Sequence, residues 1–270
     1  MYNGLKVVTV TDQELADFYD KKLRFDLLVN QYLILQNSDG KILDKYKNDG
    51  KEIVKVKYHT FDSQLLGKIK PRNERQSLLC DLLDTKIPLL SISGIAGSGK
   101  TFCTTAHALQ ELQRGNYEKI VIIRNNITVA GVPDLGILPG DAIDKQKESC
   151  AYMGDIISDF YFDSLLSKGT IQIAYLGTLR SRSLNNSYIL VNEAQNMDIN
   201  LVKMVVTRVG ENSRLIFDFD LSQIDKKSFE KENGMMCLNE SLKGNSLFGA
   251  MELDIIERSE VAKLANLIHS

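Results

Sequence analysis

Eight consecutive residues, Gly94, Ile95, Ala96, Gly97, Ser98, Gly99, Lys100 and Thr101, fit the pattern G-x-x-x-x-G-K-[ST] and restrict this chain more than any other feature. Such a loop needs an apolar strand leading in and a helix leading out. Residues 89–93 form a β-prone run, and residues 101–114 carry apolar residues at helical spacing. The glycines permit unusual backbone angles and let amide N–H groups approach phosphate oxygens. The helix N-terminus adds partial positive charge. In this pattern Lys100 reaches the β- and γ-phosphates, the Thr101 hydroxyl ligates Mg²⁺, and Phe102 follows within contact range of the nucleotide. The expected ligands are ATP and Mg²⁺.

The rest of the chain supports that setting. Apolar runs recur at residues 88–92, 120–123, 171–175, 188–191 and 215–217, with helical patterns at 101–114, at 142–167 with interruptions, at 199–209 and at 257–268. Strands that are apolar throughout and alternate with helices imply an α/β fold, its mostly parallel sheet covered on both faces. Gly115 and Gly210 stand where helix C-caps are expected. Residues 1–60 read differently. A β-prone run at 7–10 precedes Thr11-Asp12-Gln13-Glu14, whose capping-box spacing starts a helix through about Leu23. Runs at 31–35, 41–47 and 52–57, separated by two Asp-Gly turns, predict a three-stranded meander. The expected division is a β-rich connector over 1–60 and an ATPase domain over 61–270.

Composition excludes several classes. Lys plus Arg number 33 and Asp plus Glu 35, so the net charge of −2 argues neither for nor against a nucleic-acid partner. The stretch 41–75 is locally basic, which reads more readily as solvated strand faces than as a polynucleotide patch. Cys80, Cys103, Cys150 and Cys237 form no CxxC pair, and His59, His107 and His269 are scattered, which argues against a disulfide scaffold or a zinc module. No apolar run approaches the roughly 18 residues of a membrane span. The first residues lack the order of a signal peptide. The expectation is a cytoplasmic protein with no membrane partner.

Two further stretches carry acidic chemistry. Residues 188–191 are apolar and end in Asn192-Glu193. A P-loop ATPase places an acidic pair there, the first residue serving Mg²⁺ through water and the second orienting the attacking water. Asn192 has the shape of Asp without its charge, so Asn192→Asp is expected to raise turnover. Glu193 keeps the second role. Residues 215–217 deliver Asp218, Asp220, Gln223 and Asp225 to the same kind of strand end. Asp220 and Gln223 are candidates for sensing the γ-phosphate or positioning water, with Asp220 also a metal candidate. Asp218 and Asp225 read as turn residues.

These motifs, in this order, resemble the PhoH-like ATPases, a P-loop family related in layout to helicases. The resemblance runs from about Lys70 to Leu267. Residues 71–76 resemble the family's upstream glutamine motif, in which Gln76 would read the adenine edge and Asn73 would belong to the nucleotide site. Residues 135–141 with Lys145 resemble its LGFLPG segment, 179–184 its MRGRTL segment, and 192–196 its DEAQN motif, with Asn192 in place of Asp. Residues 207–214 resemble TRIG-x2-SK. Residues 220–225 resemble GD-x2-Q-x-D, with Phe219 in place of Gly. The stretch from Glu257 resembles the C-terminal ERS helix. The resemblance implies a RecA-like P-loop fold and Mg²⁺-dependent ATP hydrolysis coupled to RNA binding or unwinding, with single-stranded RNA as partner. It ranks Arg258 and Arg208 highest as charge-neutralising arginines, ahead of Arg180, Arg182 and Arg214. Some relatives form rings, so a homo-oligomer is expected in which a neighbour would supply such an arginine. One branch carries an N-terminal PIN nuclease whose acidic site is absent here, so any nuclease partner would be a separate chain. The alternative is a catalytically weak, nucleotide-gated scaffold module.

Overall fold

A computed structural model describes residues 1–124, 150–179, 183–224 and 233–257. At the N-terminal end, β1 (Leu5–Thr9) leads into α1 (Asp12–Tyr19), then β2 (Tyr32–Gln36), β3 (Ile42–Asn48) and β4 (Ile53–Lys55). Thr11 opens α1 with both bonds of a capping box, and the helix ends at Tyr19, short of the expected Leu23. The meander is present as antiparallel β2–β3–β4. Beside it lies a fourth strand, β1, paired parallel to β2. That position follows from β2, which is apolar on both faces. Tyr32 and Ile34 enter the main core, while Leu33 and Leu35 join Val10 and Leu27 in a smaller one. Asp81 ties the two parts together, accepting from Tyr32 Oη at 2.7 Å and from Lys47 Nζ at 2.5 Å.

The hairpin β5 (Phe61–Ser63) and β6 (Gly67–Ile69) follows, with Phe61 buried in the main core, and then α2 (Glu74–Asp84). The remaining elements are β7 (Leu89–Gly94), α3 (Lys100–Gln113), β8 (Lys119–Arg124), α4 (Ala151–Ile157), α5 (Asp159–Ser167), β9 (Ile171–Tyr175), β10 (Ser187–Asn192), α6 (Ile199–Val206), β11 (Arg214–Phe219), α7 (Gly234–Leu242) and β12 (Phe248–Leu253). The six strands β7 to β12 form one sheet in the order β12-β7-β11-β10-β8-β9, every pair parallel. This is the RecA-like α/β arrangement of a P-loop protein. Two hydrophobic clusters cover the faces of the sheet, one holding Leu90, Ile92 and Ile122, the other Val121, Ile189 and Phe217. The chain leaves β7 toward β8 on one side, while β12 lies on the other. Open parallel sheets bind ligands at the carboxyl end of such a switch point.

The interrupted helical stretch expected over 142–167 is present in its described part as two helices, broken at Ser158 with φ +66°. One expectation changes. Gly210 does not have the positive φ of a C-cap; a Cβ there would stand 1.7 Å from Asn185 Oδ1, so close packing demands the glycine. Several charges of the basic stretch are paired: Lys45 with Glu74, Lys47 with Asp81, Lys55 with Asp44, and Arg75 with Asp254. Residues 135–141 and 258–268, together with Lys145, Arg180, Arg182, Asp225 and Arg258, lie outside the described residues.

Candidate functional site

The loop after β7 is shaped by what surrounds it. Gly94 has φ +146°, and a Cβ on it would lie 2.1 Å from the Leu253 carbonyl of neighbouring β12. Gly99 has φ +91°, and a Cβ there would lie 2.7 Å from Gln76 Nε2. The turn therefore rises between β12 and the start of α2 and places Lys100 and Thr101 on the first turn of α3. Lys100 is buried, its Nζ donating to the Gly94 carbonyl at 2.7 Å and the Ile95 carbonyl at 3.2 Å. An anionic phosphate oxygen is a stronger acceptor than either carbonyl.

On one side of this lysine opens a cavity of about 660 Å³, whose lining includes Gln76, Phe102, Arg124, Tyr152, Asn192 and Glu257. Asn73 caps α2, accepting from Gln76 N at 2.9 Å, and donates from Nδ2 to Glu257 Oε1 at 2.5 Å. Gln76 is 4% exposed. Its Nε2 donates to the Ser98 carbonyl and its Oε1 accepts from Arg72 N, both at 2.9 Å. Those bonds brace the phosphate loop from below. Glu257 N donates to the Gly97 carbonyl at 2.9 Å, which brings the chain beyond β12 against the same loop.

On the other side a smaller cavity of about 300 Å³ is lined by Lys100, Thr101, Glu193, Asp218, Asp220 and Gln223, among others. Asn192 ends β10 and is buried. Glu193 follows in a left-handed conformation, φ +59° and ψ +39°, which L residues other than glycine adopt at a cost of about 1–2 kcal/mol. Gln195 Nε2 holds its carboxylate at 2.7 Å, and Gln195 Oε1 accepts from Asp220 N at 3.3 Å. Gln195 thus links the ends of β10 and β11, a role its place in the Asn192–Asn196 motif did not disclose.

Asp218 is the principal correction to the sequence reading. It is no turn residue: it lies within β11, 5% exposed, and accepts a hydrogen bond from the Thr101 hydroxyl. Burial pushes its carboxyl up to about 6, against the opposing effects of the Lys100 ammonium and the Thr101 hydrogen bond. The signal lay in the alternation. Phe217 and Phe219 are buried in the core cluster, so the intervening Asp218 faces the other way, toward the loop. Phe219 accordingly serves packing. Asp220 caps the short turn Leu221–Gln223, its Oδ1 accepting from Ser222 N at 2.9 Å, while its Oδ2 is buried without a hydrogen-bond partner among the described residues.

The structure does not bring Arg208 to this edge. The Arg208 carbonyl accepts from Leu184 N at 2.8 Å, before the start of β10 and at the opposite end of the strands. Arg214 also lies at that far end, donating to the carbonyls of Leu82 and Leu83. Among the described residues no group of three or more His, Cys, Asp or Glu forms a metal cage. Mg²⁺ needs none, since it keeps waters and is held by one or two protein oxygens plus phosphates. Thr101 with the unpartnered Asp220 oxygen fits that donor set. No helix among the described residues is long and apolar enough to cross a membrane.

Residues 68–269 match the family model described as PhoH-like protein. Protein PhoH2 of Bacillus subtilis (strain 168) is 30% identical over 286 residues, covering 98% of this chain and 64% of the relative. Protein PhoH2 of Mycolicibacterium smegmatis is 32% identical over 216 residues, 78% of this chain and 49% of the relative. A PhoH-like protein of Bacillus subtilis is 33% identical over 178 residues, 63% and 55% respectively. The chain thus spans between 49% and 64% of the length of these relatives.

Proposed function

Because this chain belongs to the PhoH-like family and carries its phosphate loop on a RecA-like sheet, we propose that it binds ATP with Mg²⁺, hydrolyses it, and directs the cycle at single-stranded RNA. The observation that carries the reading is the convergence of the loop, a buried lysine and a carboxylate edge around adjoining cavities. Amide groups of residues 97–101 and the Lys100 ammonium bind the β- and γ-phosphates. Gln76 lines the larger cavity, Asn73 is bonded to Glu257 of that lining, and both serve the adenine side. Gln76 reads the base edge by exchanging its bonds to Ser98 and Arg72 for bonds to the base. Thr101, Asn192 and Asp220 face the metal position. Bound there, Mg²⁺ would neutralise charge developing at the β–γ bridge. Glu193, fixed by Gln195, orients the attacking water and accepts its proton, and Gln223 helps place that water.

Arg258 and Arg208 are the candidates for neutralising the γ-phosphate. The placement of Arg208 at the far edge favours its delivery from a neighbouring copy in a ring. A nuclease is a candidate partner of this ATPase, and the setting would be the cytoplasm. One observation favours a second reading, a nucleotide-gated scaffold of low turnover: Asn192 brings no charge to the end of β10. Phosphate release from ATP, with and without single-stranded RNA, separates the two. RNA-stimulated release supports the ATPase, and tight binding without release under either condition supports the scaffold.

A further inference from the structure

We propose that the carboxylate serving the nucleotide-bound Mg²⁺ comes from Asp218 on β11 and not from the end of β10. The inference rests on the ATP reading above and names which residue carries the charge. Three observations converge. The Thr101 hydroxyl donates its proton to Asp218 Oδ2, and a hydroxyl whose proton is so engaged turns its lone pairs toward a cation. Asn192 and Asp218 each stand one residue beyond the paired positions Val191 and Phe217 of adjacent parallel strands. Residues side by side in such strands share a face and lie about 4.8 Å apart, so a charge can move from one strand to the other with no change of backbone. Finally, the smaller cavity gathers Glu193, Asp218 and Asp220 against the single ammonium of Lys100, and one Asp220 oxygen is buried there without a partner among the described residues. Three acidic side chains and one basic one around this cavity, two of the acids buried, form a site that a divalent cation completes.

The charge that Asn192 lacks is therefore present one strand over. Asn192→Asp alone then adds a second carboxylate beside an existing one, and like charges in one site oppose each other. It gains little, contrary to what the sequence alone suggests.

The test measures ATP affinity by calorimetry, in Mg²⁺ and in EDTA, for the wild type, Asp218→Asn, Asn192→Asp and the exchange pair Asp218→Asn with Asn192→Asp. The ratio of the two affinities is the readout, so turnover plays no part. The expected result is an affinity in Mg²⁺ that falls at least about tenfold in Asp218→Asn, lowering the Mg²⁺ enhancement, and an enhancement that returns in the exchange pair. The exchange pair keeps total charge and so carries the test should Asp218→Asn fail to fold. Full enhancement in Asp218→Asn, or its absence from a folded exchange pair, overturns the proposal. A wild type that binds ATP in EDTA with no gain from Mg²⁺ overturns this proposal alone. A wild type that binds ATP in neither buffer overturns the ATP reading itself.

Discussion

The two edges of the central sheet make an instructive pair, because the same strands end in opposite kinds of surface. A hollow of about 690 Å³ opens at the amino edge, against about 660 Å³ at the carboxyl edge. Volume does not tell them apart; bonding does. At the amino edge Arg214, 3% exposed, donates to the carbonyls of Leu83 at 2.5 Å and Leu82 at 3.2 Å, capping the end of α2. The His107 ring nitrogen Nδ1 lies 2.8 Å from Tyr188 Oη, and Ser213 Oγ donates to the Leu184 carbonyl at 2.7 Å. Left-handed backbone there falls on Asn186 and Asn212, the side chains that tolerate it. At the carboxyl edge the left-handed residue is Glu193, a carboxylate oxygen of Asp220 has no partner among the described residues, and Lys100 is held by carbonyls that a phosphate outcompetes. The amino edge commits most of its polar groups to holding the fold, although Arg214 Nε is buried without a hydrogen-bond partner among the described residues. The other keeps strain and unmade bonds, the marks of a surface that meets a ligand.

The contrast can be broken by substitution, beginning with its largest effect. Arg214→Met strands two helix-end carbonyls and should lower unfolding free energy by about 3 kcal/mol in denaturant titration, with ATP affinity of the folded protein unchanged. Lys100→Ala should do the reverse: ATP affinity falls at least about a hundredfold, or 2.7 kcal/mol, by calorimetry, while the denaturation midpoint moves little. If Arg214→Met weakened ATP as much as Lys100→Ala, the two edges would not be separable.

The third effect depends on pH. Burial, followed by the nearby Arg214 and Arg114 charges, holds the His107 imidazole well below its usual range. Between that depressed value and the ordinary one near 6.5, the unfolded chain takes up a proton that the folded protein refuses. The associated stability is complete above about pH 6.5 and is lost on acidification, by roughly 1 kcal/mol over the first pH unit below it. His107→Gln should flatten that slope in denaturant titrations at pH 6.5 and 5.5. The smallest effect is Glu193→Gly, which relieves the left-handed residue. It should stabilise the fold by roughly 0.5 kcal/mol and abolish phosphate release. Loss of stability instead would show that the Gln195 bond outweighs the strain.

The sequence disclosed the sheet where strands are apolar throughout, as in β8 and β10, and it disclosed the phosphate loop because those residues are consecutive. It hid β12, whose Phe248-Gly249-Ala250 start lacks β-branched residues. Gly249 is there for close packing: a Cβ on it would stand 2.8 Å from Leu82 Cδ1 of α2. Asp218 and Gln195 escaped for a different reason. Asp218 has its role because β11 lies beside β7, which brings it to Thr101 at a separation of 117 residues, and Gln195 has its role because β10 and β11 are neighbours in the sheet. The Arg208 placement was hidden in the same way, since α6 carries it back toward the amino edge.

The attachment of Glu257 has a mechanical consequence. Its amide grips the Gly97 carbonyl at 2.9 Å, its carboxylate holds Asn73 at 2.5 Å, and its carbonyl takes the Arg72 guanidinium at 3.2 Å. A single residue past the last strand is therefore laced to the phosphate loop and to the first turn of α2 together. Coupling between two positions is reciprocal, so whatever shifts Gly97 alters the hold on Glu257, and traction on Glu257 alters the loop. The chain at this point works as a drawstring: tension along it arrives where the phosphates sit.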